Sequence, residues 1–181
     1  MLDAQAKFDR LSRADYDRMV ERGELEDQRV ELIRGRIVEM SPQGGPHVWV
    51  INRLTMLLAP VLKDRAIVQI QGPLAVSDDS EPEPDVAVLE LRDYKRELAT
   101  TALLVIEVAD SSLAKDRRDK APLYAECDIP EYWIVNVPGE NVEVYLHPEN
   151  GTYQTVKIYT GDEVLRSSRL PMLEIAVADI F

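Results

Sequence analysis

Two carboxylates stand where an apolar strand has no use for one. Asp85 opens the run DVAVLEL, and Glu107 interrupts LLVIEVA. A charged side chain is almost never fully buried without a partner, because the cost of desolvation must be offset. Glu107 therefore calls for a metal ion, a cation or hydrogen bonds. Neighbouring strands carrying one acid each can bring both to a single divalent ion. Magnesium suits such a pair, since it takes one or two protein carboxylates and completes its shell with waters and substrate oxygens. A Lewis acid, a water and relief of charge on the phosphate are what phosphodiester hydrolysis requires. The competing reading of Glu107 is a buried structural acid, and for Asp85 alone the two readings balance.

The cation is expected from the segment that follows. Strand alternation sets residue 109 on the face of Glu107, but the chain has Ala109 there. Lys120 falls instead on a helical stripe with Leu113, Leu123 or Tyr124, and Cys127, the stripe expected to pack on the sheet. An unpaired ammonium in that place would be costly, and a nearby Glu107 would account for it. The alternative is an i, i+4 pair with Asp116, worth only ~0.3–0.5 kcal/mol. Lys115, Arg117 and Arg118 make the same segment basic.

These residues need a scaffold, and the pattern supplies one. Ser12 to Arg22 predicts a short helix with Ser12 as N-cap and Gly23 as terminator. Arg29 to Met40 predicts a hairpin turning at Arg34-Gly35, in which Glu31, read alone, is a solvated strand residue. His47 to Lys63 carries a broad apolar stripe and predicts a helix that Pro60 kinks or ends; His47, in its first turn, reads alone as a surface residue. Strands are expected at Ala66–Gly72, Leu74–Val76, Asp85–Leu91, Ala102–Ala109 and Ile129–Val137. A helix from caps at Asp110 to Ser112 reaches about Glu126, interrupted or delayed by Pro122. Asn141–Leu146 and Thr152–Tyr159 form a second hairpin across residues 147–151, and the tail from Leu170 adds a short strand or helical turn. Residues 102–137 should thus form a parallel β–helix–β crossover.

With 45% apolar and 30% charged residues in a chain of 181, one domain with a sizeable core is expected, spanning 1–181 with its core at about 44–160. The net charge of −12 argues against a broad grip on nucleic acid but leaves room for a local basic patch. The single Cys127 excludes an intrachain disulfide and a cysteine-based zinc site, and reads as a small buried residue. The N-terminal MLDAQAKFDRL lacks an apolar signal core, and no apolar run approaches the ~20 residues of a membrane span. A soluble, cytoplasmic chain with no membrane partner is expected.

The blocks EPDVAV, IEVADSS and DRRDKAPLYAECDIPEYWIVN resemble the Uma family of restriction-endonuclease-like proteins, the second family of that name and formerly a domain of unknown function. VELIRGRIVEMSPQGGPH is similar to that family's N-terminal hairpin and the histidine after it, and the resemblance spans residues 8–180. It implies the PD-(D/E)XK nuclease superfamily. The fold expected is then α/β (α+β mixed): a central mixed β-sheet flanked by helices, with an N-terminal helix and β-hairpin extension at 8–40. Residue by residue, Asp85 matches the metal aspartate and Glu107 the acidic strand residue. Lys120 matches a lysine moved from strand to helix, and Glu31 a further acidic position. His47 and Asp116 match recurrent positions expected in a supporting shell.

The resulting expectation is a magnesium-dependent endonuclease, with manganese as the substitute ion and nucleic acid, DNA first, as substrate. Asp85 and Glu107 would hold the metal, Lys120 would handle water or phosphate, and Glu31 would assist. Two other readings stand beside it. One is a catalytically inactive or regulatory interaction protein that keeps the fold, with a homodimer as an option; the other is a phosphoesterase acting on small substrates. Ala109 and the −12 charge weigh on the side of these two.

Overall fold

The computed structural model describes residues 10–181, so positions 8 and 9 of the expected N-terminal extension lie outside the described residues. Helix α1 (Arg13–Glu21) is nucleated by a complete capping box between Ser12 and Asp15. Strands β1 (Val30–Ile33) and β2 (Arg36–Glu39) pair antiparallel. Their turn sets Arg34 at φ 50° and Gly35 at φ 73°, the two left-handed residues of a type I′ hairpin. Leu32 and Glu81 exchange backbone hydrogen bonds of 3.3 and 2.8 Å, which tie the hairpin to the segment leading to Asp85.

Helix α2 (Gly45–Leu62) buries Val50, Ile51, Leu54, Leu58 and Leu62 along one stripe and continues two residues past Pro60. It packs on one face of a six-stranded sheet ordered β3-β4-β5-β6-β7-β8. Those strands are Ala66–Ile70, Val86–Glu90, Leu104–Ala109, Glu131–Asn136, Asn141–Glu149 and Thr152–Thr160. All neighbours are antiparallel except β5 and β6, which pair parallel across the expected crossover. Every residue of β5 is buried, as a strand covered on both faces requires. Leu104, Ile106 and Val108 face α2, whereas Val105 and Ala109 face the crossover helix with Tyr124, Tyr132 and Ile134. A two-stranded piece, β9 (Val164–Arg166) with β10 (Glu174–Ala176), brings Leu165, Leu170 and Ile175 onto the α2 side of the core.

Two local expectations need correction. Leu74–Val76 is not a strand: Pro73 precedes it without a donor, and the Leu74 and Ala75 amides bond Pro82 and Ala99 carbonyls instead of a ladder. Strand β7 runs on to Glu149, because Asn150 and Gly151, both at positive φ, make a two-residue turn where a five-residue loop was expected. The crossover helix takes the delayed form of the expectation, its last α-helical part starting late with Pro122 in the first turn, after a π turn that the pattern does not announce. It consists of α3 (Leu113–Lys115), a π-helical turn over Asp116–Lys120, and α4 (Ala121–Glu126). Pro122 offers no N–H and its ring crowds the carbonyl four residues back. A wider turn, with the Ala121 amide on the Asp116 carbonyl, accommodates it.

Candidate active site

The register of the sheet assembles the site. Val86 lies opposite Ile106 in the antiparallel β4–β5 pair, so one further step sets Asp85 across from Glu107. The backbone amide of Val108 donates to Asp85 Oδ2 at 2.9 Å, fixing that corner. His47 Nε2 lies 3.1 Å from the same oxygen, and Gln71 Nε2 lies 3.4 Å from Oδ1. His47 is thus drawn inward from the first turn of α2. Its Nδ1 is buried with no partner among the described residues.

Glu107 meets the crossover helix. Its Oε1 accepts from Lys120 Nζ at 2.7 Å and from the Tyr124 hydroxyl at 2.9 Å. Lys120 Nζ also reaches Glu31 Oε2 at 3.0 Å, while Asp116, the alternative partner, takes the Ser112 hydroxyl at 2.5 Å instead. The π turn buries both Asp116 and Lys120 on its inner side; such turns recur at functional sites. Glu31 is buried, not solvated: its carboxylate accepts from Lys120, from Lys115 at 3.2 Å and from the Glu83 amide at 3.2 Å. Ala109 packs against Tyr124 beneath α4, and the cation comes from the helix above.

The structure brings all six sequence-predicted residues, Glu31, His47, Asp85, Glu107, Asp116 and Lys120, to one cavity of about 60 Å³, room for a few waters or a small hydrated ion. Other side chains at this site were missed. Tyr124 carried a signal, since a buried tyrosine hydroxyl needs a partner. In sequence, Ser112 is marked only as a cap. The parts played by Lys115 and Glu83 depend on the hairpin's docking and had no local signature. Cys127 is half-buried, its thiol pushed up to about 11 by burial, and stands apart from the cavity.

The electrostatics of the cavity are unbalanced. Six carboxylates line it, Glu31, Glu83, Asp85, Glu107, Asp110 and Asp116, against three permanent cations, Arg29, Lys115 and Lys120. Burial pushes Glu107 up to about 8; Lys120 pulls it back, but the charges of Asp85, Asp116 and Glu31 add to the rise. Burial likewise raises Asp116 and Glu83. Burial alone would lower Lys120, yet Glu107 and Glu31 hold it well above its ordinary value. Burial opposes ionisation of Glu31, but Lys120 and Lys115 outweigh it and keep that acid below its usual range. Lys120 therefore keeps its proton, and Glu107, pushed to about 8, holds one through much of the neutral range, so the acids outnumber the cations and part of their charge is held off by protons. A divalent cation fits that deficit. No three His, Cys, Asp or Glu side chains among the described residues are grouped to hold an ion.

Among the described residues, no helix is long and apolar enough to cross a membrane. No curated protein matches the chain. Among solved structures it is similar to a chain from Anabaena variabilis described as "a putative nuclease belonging to DUF820", with a TM-score of 0.70 and 19% identity. That likeness covers 84% of this chain and 89% of the other, and it shows the shared fold. The family model described as "Uma2: Putative restriction endonuclease" matches residues 13–178. By that match over nearly its whole length, the chain belongs to the Uma2 family.

Proposed function

We propose that this chain is a divalent-metal-dependent nuclease that hydrolyses phosphodiester bonds in nucleic acid, DNA first. The observation that carries the reading is the buried Asp85–Glu107–Lys120 cluster in a cavity with more carboxylates than cations. Asp85 and Glu107 would hold magnesium or manganese. Glu107 Oε1 takes both protein donors, which leaves Oε2 with no donor among the described residues; Asp85 Oδ1 has only the long contact from Gln71. The ion, when bound, supplies Lewis acidity and a more acidic water.

The chain's own residues do the rest. Lys120, held protonated, cannot act as a base. Two of its three N–H groups go to Glu107 and Glu31, and the third is available to a phosphate oxygen in the cavity it lines. An ammonium held in place this way stabilises charge that develops on the phosphate without reorganising. Glu31 acts through Lys120, fixing its direction, and is a positioning residue. His47 and the Val108 amide do the same for Asp85. Asp116, anchored by Ser112, adds negative charge to the wall of the cavity.

The test is cleavage of supercoiled plasmid, single-stranded DNA and RNA with magnesium, manganese or EDTA. Cleavage that requires the ion and falls at least ~100-fold in both Glu107→Gln and Lys120→Met supports the reading, since loss of one charge-stabilising group costs about that much. Cleavage of none of these substrates with either ion overturns it.

A further inference from the structure

A second cleft of about 450 Å³ adjoins the acidic cavity, and Lys115 and Lys120 line both. Its other cations are Arg10, Arg34, Arg36 and Arg118, and Asp119 is the one carboxylate among its lining residues. Six cations gathered against one acid, in a chain of net charge −12, is a marked segregation of charge. Lys115 is engaged with Glu31 at 3.2 Å, Arg34 with Glu126 at 2.9 Å and Arg118 with Asp119 at 2.8 Å. Arg10 and Arg36 have no carboxylate partner among the described residues and are exposed.

The hairpin is shaped to hold this cluster. Arg34 sits at φ 50°, a left-handed position where asparagine would be cheaper. Gly35, at φ 73°, lets Arg10 pass close: a Cβ there would lie 2.5 Å from Arg10 Cβ. Val38, half-buried, adds apolar surface between the charges over the buried Ile33, a surface suited to sugar and base edges.

We infer that this cleft seats the sugar–phosphate backbone of a nucleic-acid strand beside the phosphate held in the acidic cavity, with Arg10 and Arg36 neutralising successive phosphates. The inference rests on the nuclease reading of that cavity and names how its substrate is gripped. It also resolves the charge objection, because phosphate neutralisation is local. Polyanion binding by an acidic protein needs only one basic track, provided that the track leads to the chemistry. Lys115 and Lys120, shared by the two cavities, make that connection.

The experiment is fluorescence anisotropy in EDTA, across a salt series, with labelled single-stranded DNA, duplex DNA and RNA 20-mers. The Arg10→Glu, Arg36→Glu double variant should bind at least ~10-fold more weakly at low salt. Its log K against log salt slope should shrink by ~1.4–1.8, the loss of two phosphate contacts. Lys63→Glu with Lys157→Glu makes the same charge change at exposed positions lining neither cavity, and should change binding less than ~2-fold because distant charges are screened. Equal weakening in both double variants, no weakening in the first, or no binding by the wild-type chain overturns the inference. Binding with the expected pattern but no cleavage with either ion keeps the cleft and removes the nuclease reading. Cleavage with unaltered binding in the first variant does the reverse.

Discussion

The cation deficit of the acidic cavity predicts an asymmetry between two substitutions that break the same ion pair. Lys120→Met removes an ammonium that is 4% exposed, with contacts of 2.7 Å to Glu107 and 3.0 Å to Glu31. It leaves two buried carboxylates with less compensation in a cavity already rich in acids. Removing one partner of such a pair costs ~3–5 kcal/mol, a large share of the ~5–15 kcal/mol that holds a domain together. Glu107→Gln breaks the pair from the other side with a different result. Its amide oxygen still accepts from Lys120 and Tyr124, Lys120 keeps Glu31, and a carboxyl that burial holds at about 8 gives up little charge at neutral pH. The net of those changes is within ~1 kcal/mol of the wild type. Urea unfolding at neutral pH in EDTA measures both. Adding 10 mM magnesium then separates the two states of the site. An ion bound with a Kd of ~1 mM stabilises the folded chain by ~1.4 kcal/mol at that concentration; the wild type should gain it and Glu107→Gln should not. If Glu107→Gln loses as much stability as Lys120→Met, the cavity is not short of positive charge, and the argument for a cation there fails.

Three further outcomes follow from other parts of the fold. Glu81 is buried with Oε2 unpartnered among the described residues, and burial, then the charge of Asp17, pushes it from 4.5 up to about 7. A raised acid favours the folded state below about pH 4.5 and loses that contribution as pH climbs through about 7. Glu81→Gln should flatten this part of a stability–pH profile and add up to ~3 kcal/mol above it; an unchanged slope would refute the assignment. Gly35→Ala places a Cβ 2.5 Å from Arg10 Cβ at φ 73°, so a loss of ~1–3 kcal/mol is expected in thermal unfolding. Glu131 accepts from the Trp133 indole at 2.8 Å and, through its other oxygen, from Ser167 and Ser168. Glu131→Ala should cost ~3 kcal/mol or more by orphaning those donors and shift Trp133 fluorescence, whereas a loss below ~1 kcal/mol would show that they find other partners.

What the sequence disclosed, and what it withheld, follows the range of the interactions concerned. Glu107 was legible because one acid in LLVIEVA contradicts its neighbours, and a local contradiction is visible without any fold. Lys120 was legible for the same reason, as a charge on an inward stripe, although the π turn that sets its direction was not. That turn depends on how the helix accommodates the missing N–H and the ring of Pro122, so the residue flags the break without revealing its form. Glu31 shows the opposite case. Alternation in VELI marks it as the odd residue of a strand, and on a free hairpin that strand face would be wet. It is buried because Leu32 bridges Glu81 and lays the hairpin over Lys115 and Lys120, contacts 84 and 89 positions apart in the chain. The basic cleft was hidden more deeply. Arg10, Arg34, Arg36 and Arg118 are scattered among acids, and the net charge of −12 averages them away. Only the hairpin's docking gathers them. The element that joins the acidic cavity to the cleft is therefore the β1–β2 hairpin, which lends Glu31 to one and its turn arginines to the other.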